Sequence, residues 1–170
     1  MKKLIYLFGS LLLGAVLLIT SCSKLDTEFE ATYDADLEVS GRDMNGEFSA
    51  YATIDPADNA DFDKNSDKIK NIDIISVSGQ VISISQDVIL NAQLSVYSDT
   101  RSTKWSFSSF PVTTGSVLTL GNESGQWDTV KQIANEKSIY HVSLVGNTDQ
   151  DDVSFTVRVT IKYRVTAKAI

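Results

Sequence analysis

Val153-Ser154-Phe155-Thr156-Val157-Arg158-Val159-Thr160-Ile161-Lys162-Tyr163-Arg164-Val165 decides the fold class of this chain. Its odd positions are apolar or aromatic and the positions between are polar. That is the two-residue period of a strand with one face in a core and the other in water. A helix would scatter the same side chains around its circumference.

The period continues upstream. Phe29, Ala31, Tyr33, Ala35, Leu37 and Val39 form a long first strand. Met44-Asn45-Gly46 supplies a turn, because Asn-Gly accepts positive φ readily, and Phe48, Ala50, Ala52 and Ile54 alternate beyond it. The spacing predicts a hairpin there. Residues 55–67 lose the pattern and read as an acidic, turn-rich loop. Ile69, Ile72, Ile74, Ile75 and Val77 resume it, with a parity change between Ile74 and Ile75 that fits a bulge. Gly79 either lies within this strand or turns it back before Val81, Ile82 and Ile84. Val88, Leu90, Ala92, Leu94 and Val96 make the next face, followed by Trp105 and Phe107, then Val117, Leu118 and Leu120.

One segment departs from the rule. Trp127, Val130, Ile133 and Ala134 recur at helical spacing, with Asp128 near the start and Lys137 near the end, where their charges suit the helix dipole. Tyr140, Val142 and Leu144 return to strand spacing, and Gly146-Asn147 predicts a turn before the final strand. There is no βαβ rhythm and no internal repeat. Seven to nine strands with one short inserted helix predict a mainly β fold, an antiparallel immunoglobulin-like β-sandwich, with a β-barrel as the alternative.

The 170 residues, 42% apolar and 22% charged, suit one folded domain and exclude a wholly disordered chain or a polytopic membrane protein. The N-terminus carries a separate message. Met1-Lys2-Lys3 is basic, and the run Leu4 to Ile19 is apolar except at Gly9, Ser10 and Gly14. That run is shorter than the roughly 20 residues of a spanning helix, so it reads as a secretory signal. Ile19-Thr20-Ser21-Cys22 at its end resembles a bacterial lipobox. The resemblance implies a signal peptide over 1–21, a lipidated N-terminus and short tether over 22–27, and a sandwich domain over 28–170. It also implies that the Cys22 thiol becomes a diacylglyceryl thioether and that the new amine is acylated. Each buried methylene contributes roughly 0.8 kcal/mol, so two or three acyl chains hold a protein durably at a membrane.

Cys22 is the only cysteine, which leaves no intramolecular disulfide. Ser23 follows it where an aspartate would favour inner-membrane retention, so the resemblance points to the outer membrane, on its periplasmic or its surface face. Removal of 1–21 takes away Lys2 and Lys3, so 15 − 2 = 13 bases face 22 acids, a net charge of −9. Such a chain repels phosphate backbones, and no nucleic-acid partner is expected. The stretch from Asp61 to Ile72, the lipobox and the long last strand ending Val165-Thr166-Ala167 are similar to those of small immunoglobulin-like lipoproteins of the Bacteroidota. Proteins of that kind commonly have no assigned activity, so the resemblance implies fold and location but no catalytic residues.

Three features could carry chemistry. Asp61-x-Asp63-x-Asn65-x-Asp67 sets oxygen ligands at alternate positions, as the first half of a calcium loop does. Ser66 stands where the sharp-turn glycine belongs, and Ile72 where the closing glutamate belongs. The competing reading is a solvated loop in which Asp61 or Asp67 caps a helical turn. Thr148, Asp149, Asp151 and Asp152 read as an exposed hairpin tip. Trp105 and Trp127, with Tyr51, Tyr97 and Phe110, could stack on sugars or simply fill the core. His141 is the only histidine and lies on a strand, with no Gly-x-Ser-x-Gly elbow in the chain, so it reads as structural. The function these observations favour is a non-enzymatic, membrane-anchored envelope lipoprotein, binding or structural, with an envelope protein or a glycan as partner and no cofactor beyond the lipid unless the acidic loop takes calcium. A surface glycan-binding module and a periplasmic hydrolase are the alternatives.

Overall fold

The computed structural model describes residues 26–40 and 46–169. Its strands are β1 (Thr27–Ser40), β2 (Glu47–Ile54), β3 (Ile69–Ile84), β4 (Val88–Tyr97), β5 (Ser102–Val112), β6 (Val117–Leu118), β7 (Tyr140–Thr148) and β8 (Ser154–Ala167). They form two antiparallel four-stranded sheets, ordered β1-β8-β3-β6 and β2-β7-β4-β5. First pairs with last, second with seventh, third with sixth and fourth with fifth. The chain is therefore one long two-stranded ribbon, its tip at the β4–β5 turn, rolled into two layers. That is the strand order of a jelly roll. The antiparallel β-sandwich expected from the sequence is what forms, and it does not close into a barrel. Within that class the connectivity follows the jelly-roll order, whereas an immunoglobulin sheet places its first two strands side by side.

Alternation placed the strands well but misassigned one partner. β1 and β2 do not form a hairpin: β1 pairs with β8 and β2 with β7, in different sheets. Side-chain parity reports which face a strand buries and is silent about its neighbour. Gly46 does take a positive φ of 74°, while Met44 and Asn45 lie outside the described residues. β3 runs straight through Gly79, and its register slips between Ile74 and Ser76, the bulge that the parity change foretold. Gly146 and Asn147 are not a turn either; both are paired residues of β7. The acidic segment after them joins the two sheets, and Asp149 Oδ1 accepts from the Ile89 N–H at 2.7 Å.

The stretch read as a loop after β2 is partly helical. A single 3-10 turn (Pro56–Asp58) precedes helix α1 (Ala60–Asn65). Asp55 Oδ1 accepts from Ala57 N, and Asn59 Oδ1 accepts from both Asp61 N and Phe62 N. The caps are thus Asp55 and Asn59, neither of which is Asp61 or Asp67. Phe62 is buried edge-on against Tyr33, with ring centroids 6.5 Å apart, and this contact docks the helix. Tyr33 in turn donates to the Pro56 carbonyl at 2.9 Å.

Helix α2 (Gln126–Asn135) is the one the sequence predicts, and it buries Val130, Ile133 and Ala134. β6 spans two residues, so most of that edge of β3 is left to the helix to cover. Asn135 takes the place of a neighbouring strand: its Oδ1 accepts from Ile72 N at 3.1 Å, and its Nδ2 donates to Ile72 O at 2.9 Å. The same amide nitrogen also donates to Lys131 O. Lys137 Nζ donates to Ile69 O one rung further along. Replacing Asn135 by alanine orphans an N–H and a C=O at a half-buried edge, and about 2–3 kcal/mol of stability should be lost. Denaturant unfolding of the variant checks this; a change below about 0.5 kcal/mol would show that water replaces the amide.

Candidate binding face

The two outer faces of the sandwich differ in charge. On the β1-β8 side, β1 presents Glu28, Glu30, Asp34, Asp36 and Glu38, and β8 presents Arg158, Lys162 and Arg164. Arg158 grips Asp36 with two bonds of 2.7 and 2.8 Å, which holds that carboxyl below its usual range. The Thr160 hydroxyl donates to Asp34 at 2.6 Å.

The outer face of β2-β7-β4-β5 is nearly uncharged. Strand register lays it out in rows: Thr53, His141, Tyr97 and Ser102; Tyr51, Ser143, Ser95 and Lys104; Ser49, Val145, Gln93 and Ser106. Glu47, Asn147 and Asn91 continue it. Among the described outward positions of these strands, Glu47 and Lys104 alone carry charge. Tyr97 tilts against the His141 ring at 5.3 Å, and His141 Nδ1 lies 3.2 Å from the Thr53 hydroxyl. The histidine ring is thus held between its two neighbours on the face. Tyr51 is 64% exposed, and its diagonal neighbour Val145 is 45% exposed. Tyr51 was named from sequence as one of several aromatics able to stack on sugars, whereas Val145 was not marked at all. The available signal was the run of small polar residues at outward positions of β2, β7 and β4, whose adjacency only the pairing reveals.

The indoles are engaged elsewhere. Trp105 is buried, and its Nε1 donates to Gly121 O at 2.7 Å. Trp127 is half-buried, and its Nε1 donates to Leu120 O at 2.7 Å. Together they fasten the segment between β6 and α2, so the stacking platform proposed for these two side chains is not formed. Phe110 packs on Phe107 beside the core.

The calcium candidates fall mostly on a helix. Asp61, Asp63 and Asn65 lie on α1, where side chains two apart diverge by about 200° around the axis. Asn65 Nδ2 donates to Asp61 O, a contact within one turn of helix. Among the described residues no group of three or more His, Cys, Asp or Glu side chains is placed to hold a metal ion. The curled loop that positions 61, 63, 65 and 67 would need is not adopted, because capping by Asn59 and burial of Phe62 favour the helix. Cys22 and residues 1–21, read from the sequence as a signal peptide, lie outside the described residues, and among the described ones no helix is long and apolar enough to cross a membrane.

No family model and no curated protein matches the chain. Among solved structures it is similar to a chain in the cryo-EM structure of Mud crab tombus-like virus, at 11% identity and a TM-score of 0.32, over 86% of this chain and 84% of that one. A likeness that weak says nothing about function.

Proposed function

We propose that the protein is a non-enzymatic lipoprotein, held at the outer membrane through Cys22, whose sandwich binds a partner protein. The observation that carries the reading is the contrast between the two sheets. A chain of net charge −7 leaves one whole sheet face almost free of charge, with Tyr51 and Val145 exposed on it. Centres of protein interfaces are depleted of charge and enriched in tyrosine, because desolvating an ion is costly whereas a tyrosine buries a large area and keeps a hydrogen bond. Engagement of Trp105 and Trp127 in packing weakens the glycan alternative.

The test is site-specific photo-crosslinking in the native envelope. A benzophenone side chain at position 51 should give a discrete adduct, one at Glu30 on the opposite sheet should give none, and Val145→Asp should abolish the first. Cys22→Ala should move the protein from the membrane fraction to the soluble one. Equal labelling from both sheets, or none from position 51, would remove the partner reading. Unchanged membrane attachment of the Cys22 variant would remove the anchor.

A further inference from the structure

Each sheet edge offers unpaired backbone groups to any passing strand unless something guards it. β1 is guarded by acids at alternate positions. The edge of β3 is covered by β6 and by Asn135 of α2. β5 carries Pro111 and Lys104, and opposite Asn91 it bulges at Ser108 and Ser109. β2 has only Glu47, at its first position.

Its free groups can be assigned. Thr148 N donates to Gly46 O at 2.7 Å, and the register then runs unbroken from Glu47 opposite Asn147 to Ile54 opposite Tyr140. Even-numbered residues of β2 therefore bond to β7, and Glu47, Ser49, Tyr51 and Thr53 aim their N–H and C=O outward. No described residue bonds to them there. Ala52, an inward position, is partly buried against the core, and β1 of the other sheet runs close by. At its end the strand meets a cleft of about 200 Å³ lined by Thr53 and Ile54 together with Asp34, Asp55 and Asp58.

We propose, building on the partner-binding reading above, that the outward edge of β2 receives an extended strand of the partner protein, and that this strand places a basic side chain in the acidic cleft. Backbone hydrogen bonds supply the affinity of such strand addition, and side-chain contacts supply its specificity. A second copy of this chain fits less well. Pairing β2 with itself, faces matched, sets Ala50 opposite Ala50 and brings the two acid-bearing β1 strands together on the same side.

Hydrogen exchange of the full chain in detergent tests this, with two eight-residue probes of alternating threonine and valine, one carrying two lysines and the other two glutamates. The lysine peptide should slow exchange in the fragment covering residues 47–54 on the order of tenfold at saturation, and the glutamate peptide should leave it unchanged. Ser49→Pro removes one outward N–H and no bond to β7, so it should abolish the protection. Asp34→Asn with Asp58→Asn should weaken it without altering the thermal midpoint by more than a few degrees. Equal protection by both probes would overturn the charge preference. Protection of the outward amides of Glu47, Ser49, Tyr51 and Thr53 in the peptide-free monomer, or only in a species of doubled mass, would show the edge already covered and overturn the proposal. A crosslink from position 51 that persists while the edge stays unprotected would leave the partner reading standing and sink this one alone.

Discussion

One methyl group at position 146 should remove more than about 3 kcal/mol of stability, a large part of what a domain of this size possesses. Gly146 lies in the middle of β7, opposite Phe48 on one side and Ala92 on the other. A Cβ there would run into the Asn91 carbonyl oxygen and sit 2.6 and 2.7 Å from the Cα and Cβ of Ala92. All of these belong to β4 where its register to β5 slips between Leu90 and Ala92, so the obstruction is largely backbone and cannot swing aside. The cause is space and not conformation, because Gly146 is not among the positive-φ glycines. Gly115 is the matched control: its φ is 89° and a Cβ would meet nothing within 4 Å. Gly115→Ala should cost about 1–2 kcal/mol, the strain of a left-handed alanine. Urea midpoints of the two variants decide it, and a Gly146→Ala protein as stable as Gly115→Ala would refute the close approach.

Alkali should unfold the protein before about pH 12, and the reason is three buried phenols. Tyr140 and Tyr163 share a hydrogen bond of 2.6 Å in the core, where they are 1% and 2% exposed. Burial pushes both hydroxyls well above their ordinary range. Tyr33, 6% exposed, is raised by burial and then by the nearby Asp55 and Asp58. In the unfolded chain a tyrosine ionises near pH 10, so the native state keeps protons that the unfolded state has lost. Stability is therefore complete below about pH 10 and falls above it by about 1.4 kcal/mol per pH unit for each phenol, or about 4 for the three together. Tyrosinate absorbance from these groups should rise in the same step that abolishes the near-UV circular dichroism. A Tyr140→Phe/Tyr163→Phe double variant should reduce the slope to about 1.4 kcal/mol per unit. It should also be more stable than either single variant, since removing both partners leaves no orphaned hydroxyl. A double variant with the parent slope would show that the phenols ionise inside the fold.

The candidate face is built from positions that local patterning encodes and neighbours that it does not. Tyr51, Tyr97 and His141 belong to three strands far apart in sequence, and each outward position was legible from its own alternation. Their assembly was not, because it depends on β7 lying between β2 and β4. Trp105 and Trp127 were ambiguous for the opposite reason. A tryptophan's sequence neighbours do not say whether its N–H meets water or a carbonyl such as those of Gly121 and Leu120.

Sequence alone determined the sheet-built class, the inward residues of nearly every strand, the bulge at Ile75 and helix α2. These follow from the pleat and the helical turn, which are local and recur every few residues. Tertiary structure decided that β1 and β2 part company, that residues 60–65 coil into α1, that Gly146 is a close approach rather than a turn, and that β2 is left with an open edge. Those outcomes rest on contacts between residues distant along the chain, such as Phe62 on Tyr33 or Gly146 under Ala92, and no local period encodes which distant surface a strand will meet.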